Sequence, residues 1–241
     1  MAHATLSRSV RLFRAFLHEQ SDPDHFYGTL AEDSVRQLSG YADLAGATVL
    51  DVGGGPGYFA EAFRAAGAYY VGIDPDVGEL SARDGEPAAG MLRASGTALP
   101  VRTGSVDVCY SSNVLEHVDR PWVMAEELVR VTRPGGTVFL SFTPWLSPWG
   151  GHETAPWHYL GGERAARRYT ERHGRPPKNV YGRTLFDVRV GPALRWAHRC
   201  RSATLVRALP RYHPRWAWPL VHVPGVREVA LWNLAMVLRR T

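Results

Sequence analysis

The sequence predicts an α/β fold: a mostly parallel sheet with helices on both faces. Three observations carry this. First, Thr48–Val52 is a short β-rich apolar run that ends in a glycine cluster and leads into helix-like text. Second, Tyr69–Asp74 is another buried-strand pattern, and its terminal Asp74 falls 23 residues after Asp51, the span of one strand–helix–strand unit. Third, Val106–Asn113 and Pro134–Phe142 repeat the strand pattern on either side of a helical stretch. Alternation of this kind builds parallel strands with crossover helices.

The elements follow in chain order. Leu6, Val10, Phe13 and Leu17 share one helical face beside Arg8, Arg11 and Arg14, which predicts an amphipathic helix that ends before Ser21 and packs on the core; membrane contact is the competing reading. A second helix is expected over Leu30 to Tyr41. Strand one is followed by a helix over 57–66, strand two by one over 76–83, and the fourth strand, Val106–Asn113, by one over 119–132 with Pro121 in its first turn. Pro134–Phe142 is the fifth strand. Residues 143–185 are rich in Pro, Gly, Trp and His, too irregular for a long helix and too aromatic for a disordered linker. They leave the C-terminal end of strand five, where an open α/β sheet binds ligands, so they are expected to form a substrate-side insertion. Leu185–Arg199 returns to a helix, and Ala203–Leu209 and Leu234–Arg239 read as the last strands, with 210–233 inserted between them.

The turn after strand one carries the strongest chemical signal. Gly53, Gly55 and Gly57 have the spacing G-x-G-x-G, which brings backbone N–H groups close to a ligand. Asp51 before them can pair with a cationic ligand group. Asp74 can accept both ribose hydroxyls of an adenosine. A dinucleotide fingerprint needs a third glycine where Tyr58 stands, which counts against NAD.

Four motifs in register, VLDVGGGPG (49–57), VGIDPD (71–76), ALPVRTGSVDVCYSSNVLEHV (98–118) and RVTRPGGTVFLSF (130–142), resemble the class I S-adenosylmethionine (SAM)-dependent methyltransferases, in particular the small-molecule branch with the ubiquinone and menaquinone enzymes. The resemblance covers residues 45–142. It implies a Rossmann-like seven-stranded sheet with an antiparallel last hairpin, one methyltransferase domain over 1–241, an N-terminal helical lid over 1–44, and SAM as cofactor. By the same resemblance Asp51, Gly53, Gly55 and Gly57 hold the methionine part, and Asp74 with Pro75 meets the ribose. Ser95, Gly96 and Thr97 meet adenine where the family usually has an Asp, and Asn113 borders the methionine end. Phe26 and Tyr27 are lid candidates for lining that pocket.

Methyl transfer needs an aligned acceptor and, for a hydroxyl of high pKa, a base. His117 is the candidate base, against the plainer reading of a structural hydrogen bond at a helix start. His152, Glu153, His158 and Tyr159 are the candidate acceptor-side residues. The spacing H-E-x-x-x-x-H matches no zinc helix, so no metal is expected. There is no G-x-S-x-G elbow and no phosphate-binding G-x-x-x-x-G-K-[ST] loop.

Charge is uneven: residues 1–159 carry 11 Arg and 19 acids, a balance of −8, and residues 160–241 carry 17 Arg or Lys and 4 acids, a balance of +13. That asymmetry suggests an anionic partner. The candidates are a membrane surface, a phosphate-bearing substrate and nucleic acid; Trp216, Trp218 and Trp232 beside Arg211, Arg215 and Arg227 are the residue types of a membrane interface and equally those of a small satellite core. The N-terminal segment lacks the apolar core of a secretory leader, no run of about 18 apolar residues suggests a spanning helix, and two distant cysteines give no disulfide framework, so a cytoplasmic protein is expected, with attachment at the inner membrane face as an option. The predicted function is methyl transfer to a small hydrophobic or lipid-linked acceptor at oxygen. Nucleic-acid methylation, disfavoured because strand four does not end in Asn/Asp-Pro-Pro-Tyr, and a non-catalytic SAM-binding regulator are the alternatives. The sequence does not fix the oligomeric state.

Overall fold

The computed structural model describes residues 4–19, 21–76 and 89–241. Seven strands form one sheet in the order β3-β2-β1-β4-β5-β7-β6: β1 (Thr48–Val52), β2 (Tyr69–Asp74), β3 (Met91–Arg93), β4 (Val106–Ser112), β5 (Thr132–Phe142), β6 (Ala203–Pro210) and β7 (Leu234–Arg240). The first five run parallel, and β7 inserts antiparallel between β5 and β6. The expected α/β sheet with its final antiparallel hairpin is therefore present.

Alternating strand residues feed two apolar layers. Val49, Val108, Tyr110, Phe139 and Val237 face α1 (Leu6–Phe16), α2 (Pro23–Leu38) and α3 (Ala60–Ala65). Leu50, Cys109, Val138, Leu140 and Leu238 face α4 (Pro121–Val131) and α6 (Val190–Arg199). Cys109 and Cys200 are free.

Several elements depart from expectation. The second helix starts at Pro23, not Leu30: Asp22 accepts the His25 amide at 3.1 Å and Pro23 takes the first turn, so Asp-Pro opens a helix rather than merely ending the previous one. The third strand, Met91–Arg93, has no apolar signature because it is a short and largely exposed edge. Residues 143–185 do contain a helix, α5 (Gly162–His173); its text after Gly162 has no Gly or Pro, and left-handed Gly174 closes it. The helix expected over 76–83 lies almost wholly outside the described residues. On α1 the buried residues are Arg8, Ser9, Leu12 and Ala15, whereas Leu6, Val10 and Leu17 are exposed. A buried ion pair turned this helix: Arg8 donates to both oxygens of Asp33 on α2, each at 2.7 Å.

Arg211, expected at a membrane-facing insertion, is instead wholly buried. Its guanidinium donates to Ser34 Oγ (2.7 Å), Ser112 Oγ (2.6 Å), Ser141 Oγ (2.7 Å) and Tyr110 OH (2.9 Å). It thus joins α2, β4 and β5 to the segment after β6. Arg239 and Arg240 likewise donate to carbonyls at the ends of the sheet, those of Tyr41 and Gly135 and those of Arg130 and Thr132. Part of the C-terminal positive excess is internal. Arg211→Ala would remove hydrogen bonds from the hydroxyls of Ser34, Ser112, Ser141 and Tyr110, of which Ser34 keeps its bond to the Leu30 carbonyl, and it should lower stability by about 1–3 kcal/mol for each hydroxyl left without a partner, read as a shifted urea midpoint. An unchanged midpoint would show that these hydrogen bonds are not holding the accessory helices.

Candidate active site

The site forms where β1, β2 and β4 end along one edge of the sheet. After Val52 the chain reverses, and the Gly53 amide donates to Ile73 O at 2.7 Å, tying the turn to β2. Gly53 has φ +82°, and a Cβ there would lie 2.3 Å from Val114 Cγ2. Only glycine fits. Gly55 has φ +53° with open space where its Cβ would stand, so this part of the turn faces a cradle rather than protein. Tyr27 of α2 stacks on Tyr58 at 4.6 Å, closing the turn's outer side, while Phe26 is buried in the core below.

Two carboxylates flank the turn. Asp51 is buried and accepts the Tyr70 hydroxyl at 2.8 Å. Burial pushes its carboxyl up to about 7; the Tyr70 hydrogen bond opposes this and the charge of Asp74 adds to it. Asp74 accepts the Gly55 amide (3.0 Å) and the Asp76 amide (2.9 Å). The Pro75 carbonyl accepts Arg93 Nε at 3.3 Å. Ser95, Gly96 and Thr97 form a turn closed on itself, with Ser95 Oγ 2.9 Å from Thr97 Oγ1 and Gly96 packed on Val52 and Met124. The turn can offer backbone groups and hydroxyls to a flat ligand, but no carboxylate. A cationic or polyhydroxylated ligand fits the two acids and the bare turn.

Asn113 ends β4 in the left-handed region (φ 57°) and accepts Asn233 Nδ2 at 2.7 Å. The next residues, Leu115–His117, form a short 3-10 helix. His117 Nδ1 lies 2.7 Å from the Thr184 carbonyl. A carbonyl only accepts, so Nδ1 carries a proton, and in the neutral ring Nε2 carries the lone pair. Glu116 is 1% exposed; its Oε1 accepts the Thr143 amide at 2.8 Å, its carbonyl accepts the Phe186 amide, and burial raises its carboxyl pKa. Both ends of the insertion are therefore pinned to this short helix.

The four acceptor-side candidates separate. His152, at φ 47°, comes to 5.0 Å from the His117 ring, and burial lowers its pKa to about 3, with His117, His158 and Lys178 adding to the effect. Glu153 holds the Asn179 amide at 3.0 and 3.1 Å. His158 is buried, with Nε2 3.1 Å from the Ser147 carbonyl and its ring against Gly151, and it braces the loop. Tyr159 donates to the Leu146 carbonyl at 3.2 Å. His152, Glu153 and His158 are not gathered among the described residues: Glu153 turns to the Asn179 amide and His158 to the Ser147 carbonyl, while His152 points to His117. Glu116, His117 and His152 come together instead, with ligand atoms all within 4.8 Å of one another.

Sequence reasoning also missed an aromatic wall. Phe13 of α1 lies 6.1 Å from Trp149 and 5.5 Å from Trp232, Phe16 lies 5.2 Å from Trp149, and His213 lies 5.0 Å from Trp232. Trp232 is thus half-buried among these rings. Trp232 precedes Asn233, and the His152 amide donates to the Trp149 carbonyl at 2.9 Å. The wall is therefore linked to Asn113 through Asn233 and to His152 through the Trp149 carbonyl. No sequence spacing signals it, since its members come from three distant segments.

Sheet order, glycine turn and acid-tipped strands define a class I SAM-dependent methyltransferase. A methyltransferase-domain family model matches residues 50–140. An uncharacterised methyltransferase of Mycolicibacterium gilvum is 57% identical, over 99% of this chain and 96% of its own length. One from Mycobacteroides abscessus is 55% identical over 98% and 95%. Among solved structures, a SAM-dependent methyltransferase from Mesorhizobium loti shares the fold with a TM-score of 0.58 at 21% identity, covering 86% of this chain and 96% of that one. Magnesium protoporphyrin IX methyltransferase of Synechocystis, solved with bound S-adenosylhomocysteine (SAH), aligns with a TM-score of 0.54 at 16% identity, over 92% and 88%. The chain belongs to this methyltransferase family.

Asp51 makes the ligand-free protein pH-sensitive. Its folded pKa of about 7 exceeds the ordinary 3.8. Its contribution to stability is therefore full below 3.8 and is lost as pH rises through 7. Thermal melts of the ligand-free protein should show this decline, and Asp51→Asn should flatten it. An equal decline in that variant would assign the effect elsewhere.

Proposed function

We propose that SAM lies across the turn after β1, with its ammonium toward Asp51, its ribose on Asp74 and Pro75, its adenine near Ser95, Gly96 and Thr97, and its methionine end bordered by Gly53, Gly57 and Asn113. The open space beyond Gly55 and the two flanking acids support this. We further propose that the acceptor is a small apolar or lipid-linked molecule methylated at oxygen. The single observation that carries the apolar acceptor is the aromatic wall of Phe13, Phe16, Trp149 and Trp232, contributed by three accessory segments. Beside it, His117 Nε2 has the lone pair needed to take a hydroxyl proton. His152 borders the same space, while Glu153, His158 and Tyr159 shape the loop rather than meet the acceptor.

Membrane contact belongs to the same proposal, with a revised location. No described helix is long and apolar enough to cross a membrane, so contact would be peripheral. Two exposed surfaces support it. Leu6, Val10 and Leu17 line the outer side of α1. Trp157, Tyr159 and Leu160 are exposed beside α5, whose Arg164, Arg167 and Arg172 face solvent and whose Arg168 lies 3.8 Å over the Trp157 ring. Trp216 is exposed as well, but Trp218 is half-buried against the core.

Asp74→Ala should weaken SAM binding by about 1–3 kcal/mol, and Gly55→Val should abolish it; calorimetry with unchanged affinity for both would remove the cofactor assignment. Because the ammonium needs an ionised Asp51, affinity should rise as pH passes upward through 7. His117→Ala should lower turnover and leave SAM affinity intact. In vesicle co-sedimentation the protein should bind anionic but not neutral vesicles, less at high salt, and Leu6→Ser with Leu17→Ser should weaken binding. Equal sedimentation with neutral vesicles, or none with anionic ones, would leave the lipid-linked acceptor without support.

A further inference from the structure

We propose that Glu116, His117 and His152 hold a divalent transition cation, Zn²⁺ by the chemistry of the donors, beside the acceptor site. Four independent features converge on this trio. The ligand atoms lie within 4.8 Å of one another although they come from two distant loops. A tetrahedral zinc with bonds near 2.1 Å spaces its ligands at about 3.4 Å, so modest side-chain rotation closes the set. Glu116 is 1% exposed, and its Oε2 has no hydrogen-bond partner among the described residues; neither does the buried Nε2 of His152. Two such orphans side by side are costly unless something binds both. The Thr184 carbonyl fixes His117 with Nε2 as the lone-pair nitrogen, the arrangement that commonly orients a metal-bound imidazole. His152 is held in the left-handed backbone region, which a non-glycine residue occupies at a local cost and which directs its ring toward His117.

Two histidines and one carboxylate leave a coordination position open, the pattern of catalytic rather than structural zinc. This deepens the O-methylation reading and rests on it. An acceptor hydroxyl in the open position loses its proton to solvent, and its oxygen becomes an anionic nucleophile held by the cation. That oxygen then bonds to the methyl carbon as the carbon–sulfur bond breaks and the electron pair stays on sulfur, giving a methyl ether and SAH. In this state His117 is a ligand, and the cation rather than a free imidazole acidifies the acceptor.

The test is titration of chelator-treated full-length protein with Zn²⁺ alone, followed by calorimetry, with Co²⁺ added in a second series to read its visible absorption. One equivalent should bind. Since even outer-shell changes cost roughly 10–100-fold in metal affinity, His117→Ala and His152→Ala should each lose more than that, and Glu116→Gln should alter the Co²⁺ spectrum. SAH binding, measured in the same samples, should be unchanged, which shows that the variants fold. No uptake by the wild type, or uptake that survives the His117→Ala/His152→Ala double variant, overturns the site. Zn²⁺ uptake at the trio in a protein that fails to bind SAH would support the cation site and overturn its part in methyl transfer.

Discussion

At Gly53 the turn after β1 passes so close to Val114 that no side chain fits between them. The rest of the site depends on this contact. It fixes the distance between the glycine turn, where Asp51 and Asp74 gather, and the short helix that carries Glu116 and His117. It also forces unusual backbone on both sides: Gly53 at φ +82° and Asn113 at φ 57°. Asn113 then reaches Asn233, and Asn233 brings Trp232. The glycine turn and the aromatic wall are thus joined at one close approach, with the parallel strands supplying the common edge.

The accessory segments are held by polar anchors rather than by apolar area alone. Arg211 has no carboxylate hydrogen-bonded to it and relies on four hydroxyls from α2, β4 and β5. Its carbonyl accepts Arg8 Nη1 at 3.0 Å, so the N-terminal helix is linked to the same node. Glu116 does the corresponding job for the insertion, through Thr143 and Phe186. Anchors of this kind fix position: moving any segment would leave a buried charge or hydroxyl without its partner.

The core was legible because its signals are local. Strands with buried alternating residues, the glycine turn and the acids at the strand ends all announce themselves within a few residues. The short edge strand Met91–Arg93 was not legible, since an exposed three-residue strand needs no apolar pattern. Asp22-Pro23 serves equally as a break after one helix and as the cap and first turn of the next, so the pair alone does not place the start of the second helix. Long-range partners were invisible in principle. Nothing in the spacing of Glu116, His117 and His152 predicts that they meet, and nothing in the arginine-rich C-terminal text separates buried Arg211 from exposed Arg215. Both follow only from the order of strands and the path of the insertion.

In the proposed arrangement one crevice aligns a methyl donor on the glycine turn with an acceptor held between the aromatic wall and the His117–His152 pair. A crystal structure of the protein grown with SAH tests it most directly. The SAH amine should lie at Asp51, its ribose at Asp74, and its sulfur toward His117 on the side of Trp149 and Trp232. SAH bound elsewhere, or with its sulfur facing away from His117, would contradict it.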